Sequence, residues 1–428
     1  MDIIRGLFGL AVLISIAYLF SGDKKRISWR LVGIGILLQV TFGVLISYVS
    51  FVKAAFSWIS SQFVTVIGFA LEGSRFIFGS LVDSQNFGVI FAVQVLPTVI
   101  FFSMLTSGLY YLGVLQKIVK GIAWVMARSM RLSGGEALSA AGNIFVGQTE
   151  APMLVKPFIP KMTRSEMMCL MTGGMATIAG GVLAAYVAIL GGETTEGQTQ
   201  FAAYLLTASF MNAPAAIIIA KIMIPEPDPD AVNKDLTVAP SSMGVNLIDS
   251  LARGTSEGLK LAANIGAMLL TFVALIGLLN HLLAIFGGWI GVNELIVAST
   301  GGTFDGLSLQ YILGQLFRVF AFAIGVDWQE SLQVGSLLGL KVALNEFVAY
   351  EELAKLMEAG ALNQKSVIIS TYALCGFANF SSIAIQIGGI GGMAPSQQGN
   401  ISKLGLRALL AATLATMMTA TVAGVLMG

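Results

Sequence analysis

Runs of about twenty apolar residues recur along this chain, and they restrict its fold more than any other feature. A backbone immersed in hydrocarbon must satisfy its own amides and carbonyls, which leaves only helices and closed barrels. The runs lie at Ile3 to Phe20, Leu31 to Val52, Phe87 to Leu115, Phe201 to Ile222, Leu259 to Phe286 and Leu404 to Met427. They are too long for barrel strands and of the right length for membrane helices. With 56% hydrophobic and only 11% charged residues among 428, the chain reads as an all-α integral membrane protein with many spans. The stretch from Lys53 to Asp83, which carries Glu72 and Arg75 among its aromatics, is too charged for a clean span and reads as interfacial helices.

Two polar knots interrupt this pattern. The first is Gly142-Asn143-Ile144-Phe145-Val146-Gly147-Gln148-Thr149-Glu150-Ala151-Pro152. A helix does not run unbroken through Gly147 and Pro152, because proline lacks an amide donor and clashes with the preceding turn. Basic residues flank the knot on both sides, Lys117, Lys120, Arg128 and Arg131 before it and Lys156, Lys161 and Arg164 after it. Two readings fit: a hairpin that enters the membrane from the cytoplasm and returns, or an ordinary cytoplasmic turn. Met167 to Leu190 follows as a glycine-broken helix around Ala176-Thr177-Ile178.

The second knot is Gly339-Leu340-Lys341-Val342-Ala343-Leu344-Asn345-Glu346-Phe347-Val348-Ala349-Tyr350, within a region from Tyr311 to Glu358 that offers no clean apolar span. Its flanks are acidic, at Asp327, Glu330, Glu351, Glu352 and Glu358, which suits a hairpin entering from outside. Val367 to Ile390 is then a second broken helix, centred on Cys375-Gly376-Phe377-Ala378-Asn379-Phe380-Ser381-Ser382. Each half therefore runs span, hairpin, broken helix, span, in opposite senses, which is the sequence signature of a secondary transporter with its site where the halves meet. The chain divides into N-terminal spans and interfacial helices (1–115), a first repeat (116–224), an acidic linker with an amphipathic stretch from Met243 to Arg253 (225–258), and a second repeat (259–428).

Lysine and arginine concentrate on the predicted inner side, which puts both termini outside. Cys169 and Cys375 have no CxxC spacing and read as packing residues, and His281 reads as interfacial, so no metal cluster is expected. The net charge of +1 says nothing about nucleic acid, and no basic, aromatic-interleaved stripe points to it, so no nucleic-acid partner is expected. An enzyme would need a nucleophile with a base, or a metal cluster, and neither appears. A receptor usually appends a soluble domain, and Pro225 to Arg253 is too short to fold alone. A channel remains open and is separable from a carrier by counterflow.

The motifs Gly147-Gln148-Thr149-Glu150-Ala151-Pro152, Gly339-Leu340-Lys341 with Asn345-Glu346-Phe347-Val348-Ala349, and Gly376-Phe377-Ala378-Asn379-Phe380-Ser381-Ser382-Ile383 resemble the concentrative nucleoside transporter family, in its bacterial sodium-coupled branch. The resemblance spans nearly the whole chain and implies a homotrimer in a bacterial inner membrane. Each protomer is then expected to have eight transmembrane helices plus two re-entrant hairpins in inverted repeats, with a transport domain that shifts against a fixed scaffold. The substrate implied is a nucleoside such as uridine. Its ribose is expected on Glu346, Asn379 and Ser382, and its base on Gln148, Thr149 and Glu150, with Val182 and Phe377 packing against it. Carboxylates and amides suit vicinal hydroxyls and a mixed base edge, and no cationic cluster is present to balance a nucleotide's phosphate.

The alternative use of Glu150 and Glu346 is stabilising pairing with Lys156 or Lys341. No cofactor is expected beyond the co-transported ion. Sodium requires carbonyl, amide and hydroxyl oxygens, which unwound backbone beside a broken helix supplies. Asn143, Val146, Thr177 and Ile178 offer them, and the resemblance points to the same four residues. A proton-coupled symporter, with Glu150 or Glu346 titrating, is the competing expectation.

Overall fold

The computed structural model describes residues 2–88, 90–192, 194–228, 232–236 and 244–428, and among these residues helix is the only regular structure. The first helices are α1 (Asp2–Leu19), α2 (Trp29–Tyr48), α3 (Ser50–Phe78), α4 (Leu96–Tyr111) and α5 (Val114–Met130). A broken pair follows, α6 (Gly134–Gly142) and the single turn α7 (Ala151–Leu154). Next come α8 (Arg164–Ala176), α9 (Gly180–Gly191) and α10 (Thr195–Met223). The long α11 (Leu247–Trp289) and short α12 (Val292–Thr300) precede a second series. That series is α13 (Leu309–Ala323), α14 (Ser331–Ala343), α15 (Glu346–Glu358), α16 (Gln364–Leu374), α17 (Phe380–Met393) and α18 (Gln398–Leu426).

Side-chain caps start the helices that surround the breaks. Ser133 with Glu136 and Thr163 with Glu166 form reciprocal capping boxes on α6 and α8, and Asn345, Asn363 and Asn379 cap α15, α16 and α17. The two series repeat one plan: a leading helix, two short helices joined by a break, a helix interrupted in its middle, and a 29-residue closing helix, α10 or α18. These closing helices form the centre. About nine-tenths of the apolar window of α10 and 83% of that of α18 are buried, against 6% for α11. The latter packs on α4 through small residues. A Cβ on Gly258 would lie 2.8 Å from the Ile100 Cα, so only glycine allows that approach.

Eight helical stretches among the described residues have the length and composition to cross a membrane. They differ from the sequence expectation at several places. The Lys53 to Asp83 region, read from sequence as interfacial helices, is mainly the single 29-residue α3. Its buried residues Ser60, Val64, Ile67, Ala70 and Ser74 recur at helical spacing, which leaves Glu72 and Arg75 on the exposed face. The stretch around Met243 to Arg253 and the sixth span are joined from Leu247 in one 43-residue helix, so the proposed boundary at 258 falls inside α11; residues 229–231 and 237–243 of the linker lie outside the described residues. The outer loop from Gly287 to Asp305 contains α12. Val367 to Ile390, read from sequence as a broken helix, is the pair α16 and α17 with Cys375 to Asn379 unwound between them, as expected.

Candidate functional site

The two interrupted helices meet at their breaks. The unwound turn after α8 accepts at the Thr177 carbonyl from the Phe377 amide, 3.3 Å away, and Asn212 of α10 donates its one side-chain amide to both the Ala176 and Cys375 carbonyls at 2.8 Å. Gly376 sits at φ 156°, and a Cβ there would come within 2.7 Å of the Ala176 carbonyl oxygen. Only glycine permits two helix ends to face each other so closely. The loop between α6 and α7 joins the same place, since the Gly180 amide donates to the Phe145 carbonyl at 3.1 Å.

Around this junction runs a chain of hydrogen bonds. Glu346, the first residue of α15 and 3% exposed, accepts from the Tyr186 hydroxyl at 2.8 Å on one oxygen and from Asn379 Nδ2 at 3.0 Å on the other. The Asn379 side-chain oxygen accepts from the Ser382 amide and the Ser381 hydroxyl, which fixes its orientation. Ser382 Oγ accepts from Gln148 Nε2 at 2.9 Å, and Gln148 Oε1 accepts from Gln386 Nε2 at 3.2 Å. Gln386 also donates to the Met171 carbonyl of α8 at 3.0 Å. One polar string therefore ties α9, α15, α17, the first knot and α8.

Of the expected substrate residues, Gln148, Glu346, Asn379 and Ser382 are members of this string. Val182 is buried on α9, Phe377 is half-buried in the second break, Thr149 is exposed and Glu150 is partly buried with a carboxylate oxygen that has no hydrogen-bond partner. The alternative of lysine pairing finds no support. Lys341 donates to the Ala373 carbonyl at 2.8 Å and to Thr416 at 3.1 Å rather than to Glu346, and no ion pair joins Lys156 to Glu150. Tyr186, Gln386 and Asn212 were not picked out by the sequence reading. Gln386 had a signal, because Asn379, Ser382 and Gln386 fall on one helical face. The buried Tyr186 hydroxyl needed some partner, but nothing in the sequence named Glu346.

Of the four expected ion ligands, Asn143 and Thr177 both lie against Gly173. Asn143, 1% exposed at the end of α6, has neither side-chain oxygen nor nitrogen hydrogen-bonded. Its amide nitrogen lies 3.3 Å from where a Cβ on Gly173 would sit, and the Gly173 carbonyl accepts from the Thr177 hydroxyl at 2.9 Å. Val146 and Ile178 are buried beside the same breaks. Cys169 and Cys375 are free and buried, and no metal-binding cluster of histidine, cysteine and carboxylates occurs among the described residues.

Comparison with known proteins follows the same outline. A family profile described as Na+ dependent nucleoside transporter N-terminus matches residues 8–81, its C-terminus counterpart matches 204–424, and a profile described as nucleoside recognition matches 92–193. An uncharacterized transporter of Haemophilus influenzae is 43% identical, with 100% of this chain and 99% of that protein covered. The nucleoside permease NupC of Helicobacter pylori is 38% identical, with 98% and 97% covered. A structure of CNTnw in an inward-facing substrate-bound state superposes with a TM-score of 0.89 at 40% identity, covering 100% of this chain and 98% of that one. The chain thus belongs to the concentrative nucleoside transporter family, and it is a multi-pass membrane transporter of nucleosides, not an enzyme.

Proposed function

We propose that this chain is a sodium-coupled symporter that imports nucleosides such as uridine by alternating access. The observation that carries the coupling is Asn143, whose two buried polar atoms have no protein partner beside the break of α8 and α9. A buried amide oxygen left unpaired is costly, and a cation coordinated by it offsets that cost. Asn143, Val146, Thr177 and Ile178 are the ligands we assign to sodium, and they include no titrating group. Glu346, Asn379 and Ser382 are assigned to the ribose hydroxyls. A carboxylate has about four acceptor sites, and Tyr186 with Asn379 leaves capacity for two hydroxyl donors. Gln148, Thr149 and Glu150 are assigned to the base, with Val182 and Phe377 against its face. The same reading makes the protein a homotrimer of the bacterial inner membrane with both termini outside.

Uptake of radiolabelled uridine into proteoliposomes tests this. A sodium gradient at fixed pH is expected to drive accumulation, and Asn143→Ala to raise the sodium concentration needed for half-maximal uptake. Proton coupling has one observation in its favour, the unpartnered Glu150 oxygen. Equal accumulation under an imposed pH gradient in sodium-free vesicles would select it. Unlabelled internal uridine is expected to accelerate labelled uptake, which a channel does not do.

A further inference from the structure

Far from the polar string, a cavity of about 680 Å³ opens where the start of α2, the end of α5 and the stretch Val232–Leu236 meet at the end of α10. Its walls carry Arg26, Arg30, Arg128, Arg131 and Lys234. The acidic groups that also line it are engaged: Glu136 is ion-paired with Lys221, and Glu226 accepts from the Thr163 hydroxyl at 2.7 Å and lies 3.9 Å from the Lys221 ammonium. Arg26 is paired with Asp23, whereas Arg30 and Arg131 have no carboxylate partner among the described residues. Arg30 and Arg131 thus line one cavity without a carboxylate partner among the described residues.

Arg131 adds an independent observation. It ends α5 at φ 55°, and among the described residues it is the one non-glycine residue in left-handed backbone. Helices usually place glycine or asparagine at such a position. An exposed arginine there gains no packing, so its side chain is the reason for its presence. The mouth of the cavity is also amphipathic. Trp124 is 56% exposed, the Arg128 guanidinium lies 6.0 Å from its ring centroid, and Ile118 and Val125 are exposed on the same helix. Exposed tryptophan beside arginine is the pattern of a membrane–water boundary.

We infer that this cavity binds a phosphate-bearing anion through Arg30 and Arg131, and that the anion is the headgroup of an anionic phospholipid. A guanidinium matches phosphate oxygens with two parallel donors, and basic pockets between membrane helices suit such headgroups. The exposed apolar face of α5 gives the acyl chains a surface beside the headgroup.

The test uses the full chain in detergent with phosphatidylglycerol or phosphatidylcholine added, reading bound lipid by native mass spectrometry and the midpoint of thermal unfolding. Phosphatidylglycerol is expected to be retained and to raise the midpoint, and phosphatidylcholine to do neither. Arg30→Gln with Arg131→Asn, the latter chosen because asparagine tolerates left-handed backbone, is expected to weaken retention about tenfold or more. Lys117→Gln with Lys120→Gln removes as much charge from α5 outside the cavity and is expected to leave retention intact. Equal loss in both double variants would reduce the effect to general surface charge and overturn the site. A midpoint shift by inorganic phosphate as large as that by phosphatidylglycerol would overturn the lipid assignment.

Discussion

Glu346 is held between a hydroxyl and an amide, and the distribution of those contacts says which side chain to change first. Removing the carboxylate would mix two effects, loss of a substrate acceptor and loss of the anchor for Asn379. Tyr186→Phe is cleaner, because it deletes one donor and keeps the ring against Phe347, whose centroid is 4.7 Å away. A hydrogen bond to a charged group contributes about 1.5–3 kcal/mol. Uridine affinity is therefore expected to change by about tenfold or more while the protein stays folded, as read by calorimetry; unchanged affinity would remove Tyr186 from the site. The Asn345-Glu346 pair was legible because ionisable groups at membrane depth are rare and usually functional. Tyr186 was not, because its meaning lies in a contact with a residue 160 positions away.

Among elements, the two breaks act as one joint, and Asn212 is its fastener. Asn212→Leu leaves the Ala176 and Cys375 carbonyls without their shared donor, at about 1–3 kcal/mol for each stranded group. A lowered unfolding midpoint is expected together with weaker uridine binding, since both broken helices present residues to the string. A midpoint equal to that of the wild type would show the joint to be held otherwise. At the base of the first knot, Lys221 of α10 pairs with buried Glu136 of α6, donates to the Ser165 hydroxyl at 3.0 Å and lies 3.9 Å from Glu226. Lys221→Met strands a buried carboxylate and is expected to cost about 3–5 kcal/mol, with Glu136→Gln in the same chain restoring part of it in thermal unfolding. The breaks were legible from Gly147, Pro152 and Gly376, because glycine and proline act locally. Continuity was not: nothing between Asn246 and Ile290 stops a helix, and the glycines there are tolerated through packing on α4 that only the folded chain reveals.

At the scale of the whole molecule, the coupling proposal makes a demand that no single residue can meet. A nucleoside is neutral, so a site built from Asn143, Val146, Thr177 and Ile178 that carries one sodium inward moves one net charge per cycle. Each such charge gains about 2.3 kcal/mol per 100 mV of inside-negative potential, equivalent to a factor of about 50 in accumulation. The potential acts even when sodium is equal on both sides. Proteoliposomes with equal sodium inside and out and a valinomycin-imposed potassium diffusion potential are therefore expected to accumulate uridine, and to lose the accumulation when the potential is collapsed. Asn143→Ala at saturating sodium should retain the dependence on potential while shifting its sodium requirement, because the charge still moves once the ion is bound. Accumulation indifferent to the potential under these conditions would mean that no net charge accompanies the nucleoside, and would rule out both sodium and proton symport by this chain in favour of facilitated exchange.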